Sequence, residues 1–91
     1  MNRRFEASFL KDIKRIKSAR MKASLGRKID RAKIAESISD IGDCKKLRGH
    51  HNAFRIRLGE YRIGFFLDGE TIIFSRCLHR KEIYHMFPPK S

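Results

Sequence analysis

The stretch Phe54-Arg55-Ile56-Arg57-Leu58-Gly59-Glu60-Tyr61-Arg62-Ile63-Gly64-Phe65-Phe66-Leu67 decides the fold of this chain. Phe54, Ile56 and Leu58 alternate with Arg55 and Arg57. Tyr61, Ile63, Phe65 and Leu67 alternate with Arg62, Gly64 and Phe66. A period of two marks strands with one apolar face. Gly59-Glu60 between them reads as a two-residue hairpin turn. That turn sets Leu58 against Tyr61, Arg57 against Arg62, Ile56 against Ile63 and Arg55 against Gly64. A slip of one residue would carry the arginines into the core, so the pattern constrains the register.

The same register gathers Arg55, Arg57 and Arg62 on the face away from the core. Like charges directly opposite each other cost a sheet about 0.2–1 kcal/mol per pair. An ordinary solvated face would interleave Glu or Thr there, and the only acid between Arg55 and Arg62 is the turn residue Glu60. The functional reading is an anion cradle, in which guanidinium groups grip phosphate in bidentate fashion. Gly64, opposite Arg55, leaves a gap that a ligand backbone would enter.

Downstream, Asp68-Gly69 is a strong two-residue turn signal, and Thr71 to Leu78 is a third run of strand formers. This turn pairs Phe65 with Ile72 and Ile63 with Phe74, and it adds Ser75, Cys77 and His79 to the arginine face. Arg80 to Phe87 is expected to form a short helix stopped by Pro88-Pro89. Such a helix places Arg80 and Tyr84, four apart, on one side. Tyr84 can stack on a base or move a proton, and His79 and Lys81 lie beside it in sequence. Taken singly, Tyr84 is more often a packing residue and His79 a hydrogen-bonded structural one. The cluster is more telling than its members.

Upstream, Arg3 to Ala7 alternates as a short strand, and Ser8 can cap a helix with Phe9, Leu10, Ile13 and Ile16 on its apolar face. Met21 and Leu25 extend that face. Gly26 marks a junction, and a second helix is expected from Arg27 to Ile41, with Ile34, Ile38 and Ile41 inward and Gly42-Asp43 at its end. Cys44 to Asn52 reads as a basic connection. The expected class is α+β, in the order β-α-α-β-β-β-α, with two N-terminal helices packed on one face of an antiparallel sheet.

The whole chain of 91 residues fits a single domain over 1–91 with one modest core. Its 22 Lys and Arg against 10 Asp and Glu give a net charge of +12. Residues 1–33 hold 12 basic and 3 acidic residues, whereas residues 34–91 hold 10 and 7. The first part is therefore the long-range electrostatic surface. A polyanion such as nucleic acid or an anionic membrane surface, or an acidic protein, is the partner this balance suggests, against a basic protein that is merely soluble. No apolar run approaches the roughly 18 residues of a membrane span, and no apolar segment of a signal peptide follows Met1. Cys44 and Cys77, far apart, are expected to be reduced thiols in a cytoplasmic protein. His50 and His51 are adjacent with no second ligand pair, so no zinc site is expected, and no glycine loop for a nucleotide cofactor is present.

With these residues in view, the chain resembles the RelE/ParE superfamily of toxins from type II toxin–antitoxin modules, and its RelE-like ribonuclease branch in particular. The carriers are Lys46-Leu47-Arg48-Gly49, then Phe54 through Gly64, then His79-Arg80-Lys81-Glu82-Ile83-Tyr84. The resemblance runs through nearly the whole domain to Phe87-Pro88. It implies a metal-independent endoribonuclease without cofactors that cuts messenger RNA in the ribosomal A site. The implied site residues are Arg55, Arg57, Arg62, Arg80 and Tyr84, with His79 or Lys81 available for proton transfer. The implied partners are messenger RNA, ribosomal RNA and a cognate antitoxin, with no membrane. Some relatives carry lysines where this chain has Arg55 and Arg57, and an arginine is a poor general base. That shifts the expected proton acceptor to His79 or Tyr84. The competing readings are a ParE-like inhibitor of DNA gyrase and a non-catalytic RNA- or ribosome-binding module.

Overall fold

The protein, described over residues 1–89 by a computed structural model, is built on a five-stranded sheet. Its elements are β1 (Asn2–Phe5), α1 (Ala7–Arg15), α2 (Ala19–Ile34), a single 3-10 turn (Ile38–Asp40), β2 (Cys44–Lys46), β3 (Ala53–Leu58), β4 (Tyr61–Asp68), β5 (Thr71–His79) and α3 (Ile83–Met86). The strand order is β1-β5-β4-β3-β2, with β1 parallel to β5 and every other pair antiparallel. The α+β class and the expected order hold, but the sheet is mixed rather than antiparallel, because β1 joins it parallel to β5. The addition is β2, three residues from the segment expected to be a plain connection.

The β3–β4 register is the one its alternation demands, from Leu58 opposite Tyr61 to Arg55 opposite Gly64. Gly59 leads the loop with φ +60, the sign that a two-residue hairpin loop asks of a leading glycine. On the core face, Phe54, Phe65, Phe74 and Phe5 stand as successive partners across β3, β4, β5 and β1. Their ring centroids lie 5.2, 6.2 and 5.4 Å apart, and Phe9 of α1 covers the row at 5.3 Å from Phe74. Cross-strand aromatic pairs of this kind add to burial in holding register. Ile16 of the α1–α2 junction and Leu25 and Ala32 of α2 complete this core with Ile56, Ile63 and Ile72.

The β4–β5 hairpin departs from expectation. Its loop is Gly69-Glu70, not Asp68-Gly69, because Asp68 pairs with Thr71. Gly69 has φ +59 and leads the loop as Gly59 does. Phe65 therefore faces Phe74 rather than Ile72. A bulge follows: Gly64 pairs with Arg76, so Ser75 is an extra residue on β5 and the alternation changes phase. Beyond it, Ile63 meets Cys77, Arg62 meets Leu78 and Tyr61 meets His79. Ser75, Cys77 and His79 thus do not join the arginine face. Cys77 is buried in the main core, and the His79 ring stands edge-on to Tyr61 at 6.0 Å.

The helices also differ in their limits. Ser8 does not cap α1; its Oγ donates instead to the Ser75 carbonyl at 2.6 Å, tying α1 to the bulge. Ser75 Oγ in turn donates to the Glu6 carboxylate. The junction falls at Ile16–Ser18 rather than at Gly26, since the Ser18 side chain accepts from the Met21 amide and starts α2 there. Gly26 sits inside α2, where the cost of about 1 kcal/mol is outweighed by packing of Leu25 and Ala32. α2 stops at Ile34, which is 80% exposed and not the core residue expected, and Leu10 of α1 is likewise exposed. Ile41 is buried through the 3-10 turn, whose exit is held by Lys28 Nζ donating to the Ile41 carbonyl at 3.2 Å.

Where β1 ends, the outer edge of β5 is covered by Asp12 of α1. Its buried carboxylate accepts from the Cys77 amide at 2.9 Å and from Arg76 Nε and Nη2 at 2.7 and 3.1 Å. This closes a strand edge that would otherwise be open to pairing. The hydrogen bond to Asp12 raises the Arg76 pKa above its ordinary value against the opposing effect of burial.

The opposite sheet face carries a second, smaller core of Ala53, Leu78, Ile83 and Phe87. Gly64 is not a gap for a ligand: a β-carbon there would stand 2.5 Å from the Phe87 ring. Phe87 occupies the space and packs on Phe66 at 5.1 Å.

Gly64→Ala should lower stability in urea denaturation by about 1–3 kcal/mol, since the ring cannot yield without moving α3. Asp12→Ala should cost about 2–4 kcal/mol in the same assay, because the Cys77 amide and Arg76 lose a charged acceptor. Burial raises the Cys44 thiol to about 11, with Lys28 opposing; burial, aided by Asp12, raises Cys77 to about 12. From pH 9 upward the unfolded chain therefore gives up thiol protons that the folded chain keeps, and stability should fall as pH rises. Iodoacetamide at pH 8 should label both thiols slowly until denaturant is added.

Candidate functional site

Arg55 and Arg57 alternate outward from β3, and Arg62 faces them from β4. β2 lies beside β3 with Lys45 opposite Arg55, so a lysine joins the same sheet position. On the other side α3 is anchored by Ile83 and Phe87 in the smaller core, and this leaves Tyr84 65% exposed above the sheet. The Arg55 guanidinium carbon lies 4.5 Å from the centroid of the Tyr84 ring. A cation over an aromatic face at this distance contributes about 0.5–1 kcal/mol when exposed.

Arg55, Arg57, Arg62, Lys45 and Tyr84 line one cleft of about 380 Å³, with Asp43 and Cys44 at its edge. Arg62 is held by its own turn: Nη1 donates to the carbonyls of Gly59 at 2.8 Å and Tyr61 at 2.9 Å. Among the described residues its Nε and Nη2 make no hydrogen bond, so the planar fork has donors left for an oxyanion. Asp43, the acid at the edge, has φ +54; its carboxylate lies 3.7 Å from both Arg57 and Lys28. One partly exposed carboxylate against four cations leaves the cleft positive. A phosphodiester placed here would meet converging guanidinium donors and an aromatic hydroxyl, which suits a charge that grows on phosphoryl oxygens.

Of the residues singled out from sequence, Arg55, Arg57, Arg62 and Tyr84 come together. His79, Arg80 and Lys81 do not line this cleft. His79 and Arg80 gather at the β3–β4 turn around Glu60, whose Oε2 lies 3.1 Å from Arg80 Nε and 3.7 Å from His79 Nε2. The bulge explains the separation of His79, which it sends to the Tyr61 side of the sheet. Arg80 follows the end of β5 in a turn, and its amide donates to the Glu60 carbonyl at 2.8 Å. The Lys81 amide donates to His79 Nδ1 at 3.1 Å. Lys45 and Asp43 were not legible in the sequence. A three-residue strand is too short to display a period, and only the apolar residues flanking Lys45-Lys46, Cys44 and Leu47, hinted at one.

The chain as a whole is similar to known proteins. Residues 3–84 match the family described as the ParE toxin of the type II toxin–antitoxin system parDE. The chain is 42% identical over 85 residues to toxin RelE3 of Methanocaldococcus jannaschii, covering 92% of this chain and 96% of that protein. The crystal structure of a RelB-RelE antitoxin-toxin complex from Methanococcus jannaschii superposes with a TM-score of 0.80 at 40% identity, covering 93% of this chain and 99% of that one. The RelBE2 toxin-antitoxin complex of Mycobacterium tuberculosis gives 0.63 at 25% identity over 87% and 96% of the two chains. With 82 of its 91 residues inside the family match and a relative of this identity over almost its full length, the chain belongs to the RelE/ParE superfamily and is a RelE-like toxin of a type II toxin–antitoxin system.

Proposed function

We propose that this toxin is an endoribonuclease that cuts messenger RNA in the ribosomal A site and so stops translation. The observation that carries the reading is the stacking of Arg55 on Tyr84 in a cleft shared with Arg57 and Arg62. Inhibition of gyrase by binding alone calls for no such grouping of phosphate ligands around an ionisable hydroxyl. The ParE description of the matching family is what favours the gyrase reading, as an alternative.

In the proposed reaction the substrate's 2′-hydroxyl gives up its proton and its oxygen bonds to the adjacent phosphorus. The bond from phosphorus to the 5′-oxygen breaks, and that oxygen takes a proton. The products are a 2′,3′-cyclic phosphate and a 5′-hydroxyl. Arg55, Arg57 and Arg62 stabilise the charge on the phosphoryl oxygens, a role that permanent cations fill well. They cannot exchange protons at neutral pH, and His79 lies across the sheet. Tyr84 is therefore the proton-transfer group in this reading, with Lys45 the second candidate. Arg80 and Lys81 extend the basic surface toward the flanking message, and the cations of α1 and α2 dock on ribosomal RNA phosphates.

The complexes of the Methanococcus and Mycobacterium relatives with their antitoxins support a cognate antitoxin for this chain as well. An acidic segment of that partner would cover the arginine cleft. The proposed site of action is the cytoplasm, where translation occurs.

The test is a translation extract in which RNA ends are mapped after the toxin is added. Cuts confined to ribosome-bound message are expected. They should fall about 10²–10³-fold in rate with Arg62→Ala and at least about 10²-fold with Tyr84→Phe. Intact message together with inhibited DNA supercoiling would replace this reading with the gyrase one.

A further inference from the structure

Beside the arginine cleft, and sharing Lys45, Arg55 and Tyr84 with it, lies a larger open concavity of about 850 Å³. One wall is the end of β2 and the turn after it, with Lys46, Arg48, His50 and His51; the other is Tyr84 with Phe87 and Pro88. The turn has a defined shape. Gly49 takes φ +84, the His50 amide donates to the Leu47 carbonyl at 3.3 Å, and the Leu47 amide donates to the Ala53 carbonyl at 2.9 Å. Among the described residues, those that line the concavity include no acid. Four Lys and Arg side chains and two imidazoles thus surround a space whose lining is partly apolar, through Leu47 and Phe87. That combination suits a nucleotide: cations for a phosphate, flat or apolar groups for a base.

We infer that this concavity is a second nucleotide subsite, taking the RNA nucleotide next to the one whose phosphodiester lies on Arg55, Arg57 and Arg62. It rests on the RNA reading of the arginine cleft. Because Arg55 and Tyr84 border both spaces, a single strand crosses from one to the other over the stacked pair. His50 and His51, unsuited to a metal by their adjacency, serve here as paired donors and stacking surfaces on the outer wall. Both are exposed in a turn held by backbone bonds, so their replacement leaves the fold intact.

The test measures fluorescence anisotropy of the full chain with labelled, cleavage-resistant 2′-O-methyl oligonucleotides of two and three nucleotides. The trinucleotide is expected to bind at least about fivefold tighter, the gain of one stacked base. Its logarithmic salt dependence should be steeper by about 0.7, the mark of one further phosphate. In the double variant His50→Ala/His51→Ala the ratio of the two affinities should fall toward one. A ratio near one in the unmodified chain, or a ratio that the double variant leaves intact, would overturn the subsite. Failure of both oligonucleotides to bind would overturn the RNA reading and the subsite with it.

Discussion

The ring of Phe87 packs against Gly64, and the seat of α3 on the outer sheet face depends on that contact. A β-carbon at position 64 would stand 2.5 Å from the ring, so glycine is the residue that lets an aromatic group reach the sheet. Phe87 brings Ile83 with it, and the two seal a small core over Ala53 and Leu78. Burying two such side chains contributes on the order of 3–6 kcal/mol, enough to fix a helix of one turn that has no stability of its own. Tyr84 is then carried to Arg55 as a consequence. The stacked pair is therefore a result of the packing of Ile83 and Phe87, which flank Tyr84 in the chain, and its own attraction is the smaller effect.

The second determinant is a change of phase. The bulge at Ser75 turns β5 over, so that Cys77 enters the main core while Arg76 and Leu78 take the side of Gly64 and Arg62. Its geometry is held from α1, through Ser8 on the Ser75 carbonyl and Asp12 on the Cys77 amide and Arg76. A buried carboxylate with three donors is satisfied, whereas either partner alone would be a liability in the core. The helix layer thus does more than cover apolar residues. It determines which late-strand side chains reach the arginine face.

How much of this the sequence carried depends on the length of the pattern. Phe54 to Leu67 alternates over fourteen positions around one glycine-led turn, and both its register and the convergence of Arg55, Arg57 and Arg62 were readable from it. Asp68-Gly69-Glu70 contains two overlapping turn signals, Asp-Gly and Gly-Glu, and local preference picked the wrong one. The bulge leaves no local signature, so its phase change was invisible, and with it the placement of His79. Gly26 suggested a break because an isolated helix would feel its cost; packing of Leu25 and Ala32 outweighs that cost. The seat of Phe87 on Gly64 joins residues far apart in the chain. From sequence, Gly64 therefore looked like space for a ligand.

The central claim is that one phosphodiester is held by the Arg55–Arg57–Arg62 cleft, and not by the diffuse charge of the helices. The measurement that tests it most directly is an NMR titration of arginine Nε–H resonances with a 2′-O-methyl dinucleotide. Saturable shifts of Arg55, Arg57 and Arg62, together with the Tyr84 ring protons, are the predicted result. Shifts confined to Arg20, Arg27 and Arg31 of α2, with the cleft unmoved, would contradict it.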